Sequence, residues 1–101
     1  MKKLEGVFPV LITPMHEDGE INWEGLRSNI DHFIEQGVAG IAVNGSTGEF
    51  VSLTKEERFK VTEIAVEQVA GRISLIVGTA AETTKDAIMY TKQAEEAGAD
   101  A

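Results

Sequence analysis

The chain contains no cysteine, which excludes a disulfide framework and any thiolate-ligated metal site. Basic residues are scarce: nine Lys and Arg stand against seventeen Asp and Glu, for a formal net charge of −8. With no basic cluster, a nucleic-acid or anionic-membrane partner, which needs a Lys/Arg stripe, is not expected. The acids spread over helical segments and read as solvated helix faces. No apolar run approaches the ~20 residues of a membrane span. Met1–Glu5 lacks the apolar core of a signal peptide, so the expected location is the cytoplasm. His16 and His32 share no ligand spacing, and neither a metal nor a cofactor is expected. Prolines number only two, one inside the first apolar segment and one just after it.

What is present is a recurring order of short apolar runs and amphipathic helices. The first run, Val7 to Ile12, carries Pro9, which cannot donate to a central ladder and suggests a bulge or strand start; Pro14 ends it. Asp18-Gly19 marks a turn. Asn22 reads as an N-cap with Ile21 and Leu26 as a hydrophobic staple across it. Trp23, Leu26, Ile30, Phe33 and Ile34 then form one apolar stripe at helical spacing, and Gly37 takes the position after the helix. The second strand is Val38 to Val43. Thr54, with Glu57 three residues on, is a capping box opening a helix to about Ala70, with Val61, Ile64, Ala65 and Val69 on one face and Gly71 closing it. The third strand, Ile73 to Val77, leads through Gly78-Thr79 to a helix capped by Thr83 or Thr84 and closed by Gly98. Ala99-Asp100-Ala101 would enter a fourth strand. Strands apolar throughout, alternating with amphipathic helices, predict a parallel sheet of βαβ units covered by helices. Pattern alone leaves open whether that sheet is doubly wound or a barrel.

The densest chemistry lies in Asn44-Gly45-Ser46-Thr47-Gly48-Glu49, between the second strand and the second helix. Glycines there permit φ > 0 and close approach of a ligand to the main chain. Successive backbone N–H groups in such a turn can hold an anion, with the hydroxyls adding hydrogen bonds or relaying a proton. The same composition also suits a plain connecting turn. Glu49, at the turn's exit, is expected to cap or orient the loop. Thr13 and Thr79 end strands, where they either line the site floor or cap the core. Tyr90 falls mid-helix at a surface or interface position, and Trp23 reads as core. Asn44-Gly45-Ser46 also matches the N-glycosylation pattern, which a cytoplasmic protein does not use.

Gly45-Ser46-Thr47-Gly48-Glu49 resembles the G-[ST]-T-G-E signature of the dihydrodipicolinate synthase / N-acetylneuraminate lyase family. Gly6 to Met15, Leu53-Thr54 with Glu56-Glu57-Arg58, and Ile76 to Ala80 resemble that family's first strand, second helix start and third strand in the right order. The resemblance covers the whole chain. It implies an α/β chain forming the first three βα units of a (β/α)₈ TIM barrel, with residues 1–101 the amino-terminal portion of a single domain that needs ~250 residues.

The activity implied is that of a class I lyase or aldolase forming a Schiff base with pyruvate or another 2-keto acid, dihydrodipicolinate synthase-like first. An N-acetylneuraminate lyase or a 2-keto-3-deoxy-sugar-acid aldolase is the alternative within the family, since serine at position 46 is more usual there. A non-catalytic partial barrel with a structural or assembly role is the alternative of another class. By the motif match, Thr47 and the backbone around Ser46 and Thr47 hold the keto acid's carboxylate, and the Ser46 hydroxyl serves in a proton relay. None of Lys2, Lys3, Lys55, Lys60, Lys85 and Lys92 falls at a strand's carboxyl end, so the Schiff-base lysine is expected beyond residue 101. Where lysine-regulated members bind lysine, Lys55, Arg58 and Glu82 stand here, a departure that speaks against lysine feedback. The resemblance also implies a homo-oligomer, often a tetramer.

Overall fold

The computed structural model describes residues 4–101, so Lys2 and Lys3 and most of the amino-terminal stretch Met1–Glu5 lie outside it. The chain runs α1 (Trp23–Glu35), β1 (Gly40–Val43), a short 3₁₀ turn (Phe50–Ser52), α2 (Lys55–Val69), β2 (Ser74–Val77) and α3 (Thr84–Ala97). Each helix start is fixed by a side chain that the sequence announces. The Asn22 side chain accepts from Gly25 N at 2.9 Å. Thr54 and Glu57 close both halves of the capping box, at 2.8 and 3.1 Å. Thr83, not Thr84, caps α3 by accepting from Asp86 N at 3.1 Å. Such caps satisfy otherwise orphaned N–H groups, each worth about 1 kcal/mol.

β1 and β2 pair in parallel, with Gly40 opposite Ser74 and Val43 opposite Val77. Ile41, Val43, Leu75 and Val77 alternate onto one face and are buried together with Leu26, Ile30, Val61, Ile64, Ala65 and Val69 from the helices. Full burial of each Val, Leu or Ile side chain among them stabilises the chain by roughly 1.5–3 kcal/mol. Trp23, Phe33 and Ile34 pack against this core while half-buried. The opposite sheet face differs from the expectation of strands buried on both sides. Ala42 and Ile76 remain half-buried, and Val10 and Ile12 are 48% and 56% exposed.

The first apolar run is not a regular strand. Residues 7–11 lie alongside β1, with Ala39 N donating to Val7 O (3.1 Å), Ala42 N to Pro9 O (3.0 Å) and Leu11 N to Ala42 O (2.9 Å). Only Val10 and Ala42 form a parallel bridge. The cause is Pro9, whose carbonyl accepts in this register but which has no N–H to give toward Gly40. Gly40 is itself required, because a Cβ there would run into the Phe8 ring and the Ser74 carbonyl. On the far side of β2, Asp100 N donates to Leu75 O and Val77 N to Ala101 O, each at 2.9 Å. Residues 99–101 therefore begin to extend the sheet, as the sequence suggests.

A polar seam joins the exposed flanks of α1 and α2. Arg27 reaches Glu67 at 3.3 Å and Gln68 at 3.1 Å, while Asp31 accepts from Gln68 at 2.8 Å and from Arg72 at 3.2 Å. The Gln68 hydrogen bond first, and then Arg72, hold the Asp31 carboxyl below its ordinary value against the opposing pull of desolvation. A carboxyl lowered on folding stabilises the folded state above its unfolded pKa, and loses that effect as pH falls through the folded value. Wild type is thus expected to melt above Asp31→Ala at pH 7, with the gap closing in thermal scans taken toward pH 3. A gap that held constant down to low pH would remove the Asp31 charge from the seam.

Candidate anion-binding turn

β1 delivers the chain to Asn44, whose backbone takes the left-handed φ of 58°, and the turn ends at Glu49 with φ of 57°. The two glycines expected to supply positive φ do not; the non-glycine residues bracketing them do. Non-glycine residues in this region are uncommon, and Asn is among those that tolerate it. Gly48 has a different reason to be glycine. It is buried, and a Cβ there would sit 3.0 Å from Thr13 Oγ1 and 3.2 Å from Leu11 O.

The turn closes on itself and is clamped from below. Gly48 N donates to Gly45 O at 3.1 Å and Glu49 N to Ser46 O at 3.0 Å. Thr13, 6% exposed, donates its hydroxyl to Gly48 O at 2.7 Å, which gives it a clamping role at the end of the first apolar run. At the tip, Ser46 and Thr47 are exposed. Among the described residues nothing engages either hydroxyl, and no protein acceptor takes the N–H of Gly45, Ser46 or Thr47. Three successive N–H donors and two hydroxyls are therefore unengaged within one short turn, and each hydroxyl can accept as well as donate.

Behind the tip, Asn44 is 3% exposed. Its Nδ2 donates to Arg58 O and to Thr62 Oγ1, both at 3.1 Å, while Oδ1 is buried without a partner. An amide so enclosed is no surface acceptor, whatever the glycosylation pattern suggests. The sequence reading placed Arg58 only in the neighbourhood of Lys55 and Glu82 and did not foresee its burial. Only 4% exposed, it donates to Ala80 O (2.9 Å) and Gly78 O (3.2 Å) and lies 3.6 Å over the Tyr90 ring. The signal was there for Asn44, since Asn before Gly at a strand's end favours the left-handed region. For Arg58 there was none, because its burial comes from tertiary packing.

The remaining candidates scatter. Glu49 shapes the turn through its backbone, its carbonyl accepting from Ser52 N at 2.9 Å, and its side chain makes no capping bond. Thr79 lines a cavity of about 240 Å³ with Thr91, Ala94 and Asp100, to which no residue of the turn contributes. Tyr90 packs edge-on to Phe59 at 5.8 Å as well as under Arg58. Arg58, Glu82, Asp86 and Tyr90 share a cavity of about 200 Å³ that Lys55 does not line. Trp23 carries Lys60 over its ring at 4.4 Å. Among the described residues no group of His, Asp and Glu could hold a metal ion, and no helix is long and apolar enough to cross a membrane.

Fold and turn together define a parallel α/β protein that presents a compact, donor-rich turn at the carboxyl end of a strand, the usual position of α/β active sites. Comparison with known proteins makes this specific. Residues 3–101 match the model of the dihydrodipicolinate synthetase family, and the chain belongs to that family. It is 43% identical over 97 residues to 4-hydroxy-tetrahydrodipicolinate synthase of Methanococcus maripaludis, which covers 96% of this chain and 33% of that one. Among solved structures, dihydrodipicolinate synthase from Acinetobacter baumannii, complexed with pyruvate, superposes with a TM-score of 0.94 at 37% identity, over 97% of this chain and 34% of that one. N-acetylneuraminate lyase from Mycoplasma synoviae gives 0.90 at 33% identity, over 95% and 33%. The chain thus spans about a third of the length of the relatives it matches.

Proposed function

We propose that this chain supplies the carboxylate-holding turn of a carbon–carbon lyase that acts on pyruvate or another 2-keto acid through a Schiff base, in the manner of a dihydrodipicolinate synthase. The observation that carries the reading is the exposed Ser46–Thr47 tip, with two unengaged hydroxyls and three successive N–H groups that no protein acceptor takes. That donor set matches a carboxylate's two oxygens. Thr47, through its hydroxyl and N–H, and the Ser46 N–H hold the carboxylate, while the Ser46 hydroxyl relays a proton. The resemblance to a protein solved with pyruvate supports the choice of ligand. Schiff-base formation needs a neutral amine. Lys55, Lys60, Lys85 and Lys92 all lie on α2 or α3, so the amine comes from the part of the relatives that this chain does not span. The sheet face bearing exposed Val10 and half-buried Ala42 and Ile76 is consistent with the interior of a (β/α)₈ barrel of which residues 1–101 form the amino-terminal portion. A cytoplasmic homotetramer serving lysine biosynthesis is the setting the family suggests.

Serine at position 46 and the likeness to N-acetylneuraminate lyase favour, as a second reading, a sialic acid lyase or 2-keto-3-deoxy-sugar-acid aldolase. The lack of a strand-end lysine among the described residues motivates a third, a non-catalytic partial barrel. Borohydride trapping of the complete encoded protein with pyruvate separates the enzyme readings from the structural one, because only a Schiff base leaves a reduced covalent adduct. Thr47→Val, which removes one hydroxyl and keeps the shape, is expected to weaken keto-acid binding by about 1–3 kcal/mol. An unchanged Michaelis constant would take Thr47 out of the site.

A further inference from the structure

The structure assigns Asn44 as a positioning residue for the anion-binding turn, acting through a tether to α2; for substrate binding this rests on the function proposed above. Three observations converge on it. Asn44 is the last residue before Gly45-Ser46-Thr47, and its left-handed φ of 58° sets the direction in which the turn leaves β1. A conformation of that kind persists in a non-glycine residue when its surroundings over-determine it. Here the surroundings are α2: Nδ2 donates to Arg58 O and Thr62 Oγ1, one turn apart on the helix, each at 3.1 Å. Thr62 is 1% exposed and donates its own hydroxyl to Arg58 O at 3.1 Å, so the amide docks into a closed polar niche inside an apolar core. Gly78, which admits no Cβ against the Asn44 carbonyl, closes the other side. Asn44 is therefore held at its side chain by α2 and at its backbone by the end of β2. The N–H groups that follow inherit that fixed orientation.

Asn44→Gly removes the tether without straining the turn, because glycine adopts the same φ freely and has no side chain to reach α2. In the complete encoded protein, the Michaelis constant for the 2-keto acid is expected to rise at least fivefold with kcat within twofold. Hydrogen exchange at the Gly48 and Glu49 amides, which close the turn onto Gly45 O and Ser46 O, is expected to accelerate at least tenfold, with Ile41 and Val43 unaffected. Thr62→Val, which removes one of the two acceptors, should give a smaller change in the same direction, and Thr62→Ser should restore wild-type values. Simple destabilisation would lower the active fraction and leave the Michaelis constant of the folded enzyme unchanged. Unaltered exchange at the Gly48 and Glu49 amides in Asn44→Gly would overturn the assignment whether or not the protein turns over keto acids. Faster exchange with an unchanged Michaelis constant would retain the tether and count against the carboxylate reading instead.

Discussion

Gly78→Ala is expected to destabilise the chain by about 3 kcal/mol and to displace the Ser46–Thr47 tip enough to abolish measurable keto-acid binding. A Cβ at position 78 would collide with the Asn44 carbonyl oxygen and stand 2.9 Å from its carbon and 3.3 Å from Gly45 N. Every one of these atoms is backbone, so no rotamer change relieves the overlap. Either β2 moves away from β1, breaking the 2.8 Å bond from Gly78 N to Val43 O, or the peptide between Asn44 and Gly45 turns. The first route costs stability and the second re-aims the N–H groups of the site. Urea unfolding with a parallel pyruvate titration measures both. An alanine variant as stable as wild type, with binding intact, would mean that the two strand ends are less tightly opposed than the structure has them.

The second large effect concerns Arg58. Its guanidinium is buried, and no carboxylate among the described residues forms an ion pair with it. A buried charge without a counter-ion is costly. What offsets that cost here is the fork of donors on Gly78 O and Ala80 O and the Tyr90 ring 3.6 Å away, a weakly hydrated planar cation being well suited to both. Arg58→Ala deletes two charge-assisted hydrogen bonds and leaves a void between α2 and α3. Allowing for the recovered desolvation, the expected loss is about 3 kcal/mol. Arg58→Lys should rescue little, since a point charge cannot span two carbonyls while stacking on a ring. Thermal melts of the two variants decide the matter. Full rescue by lysine would show that charge alone, rather than the fork, holds this corner.

Most of the architecture was legible in the sequence because it is written locally. Asn22, Thr54 with Glu57, and Thr83 cap their helices where periodicity places them, and Gly37 and Gly98, with φ of 81° and 109°, take the left-handed positions after α1 and α3. The candidate turn's location was legible through Ser46 and Thr47 lying between a strand and a capped helix. What escaped depends on contacts distant in sequence. Pro9 thins the first strand to a single bridge because its effect depends on register with β1. The positive φ values belong to Asn44 and Glu49 rather than to the glycines between them. Gly48 is glycine because Thr13, thirty-five residues earlier, donates to its carbonyl. Arg58, which looks like one more charge on an acidic helix, is enclosed only once α3 brings Tyr90 across it.

The central claim is that the Ser46–Thr47 turn holds the carboxylate of a 2-keto acid. The most direct measurement is a pyruvate titration of the isotopically labelled, complete encoded protein, followed through its backbone amide resonances, with Thr47→Val titrated in parallel. The expected result is saturable shifts concentrated at Gly45, Ser46, Thr47 and Gly48 and weakened in the variant. Saturable shifts that leave these four amides unmoved, or that are the same in the variant, would contradict it.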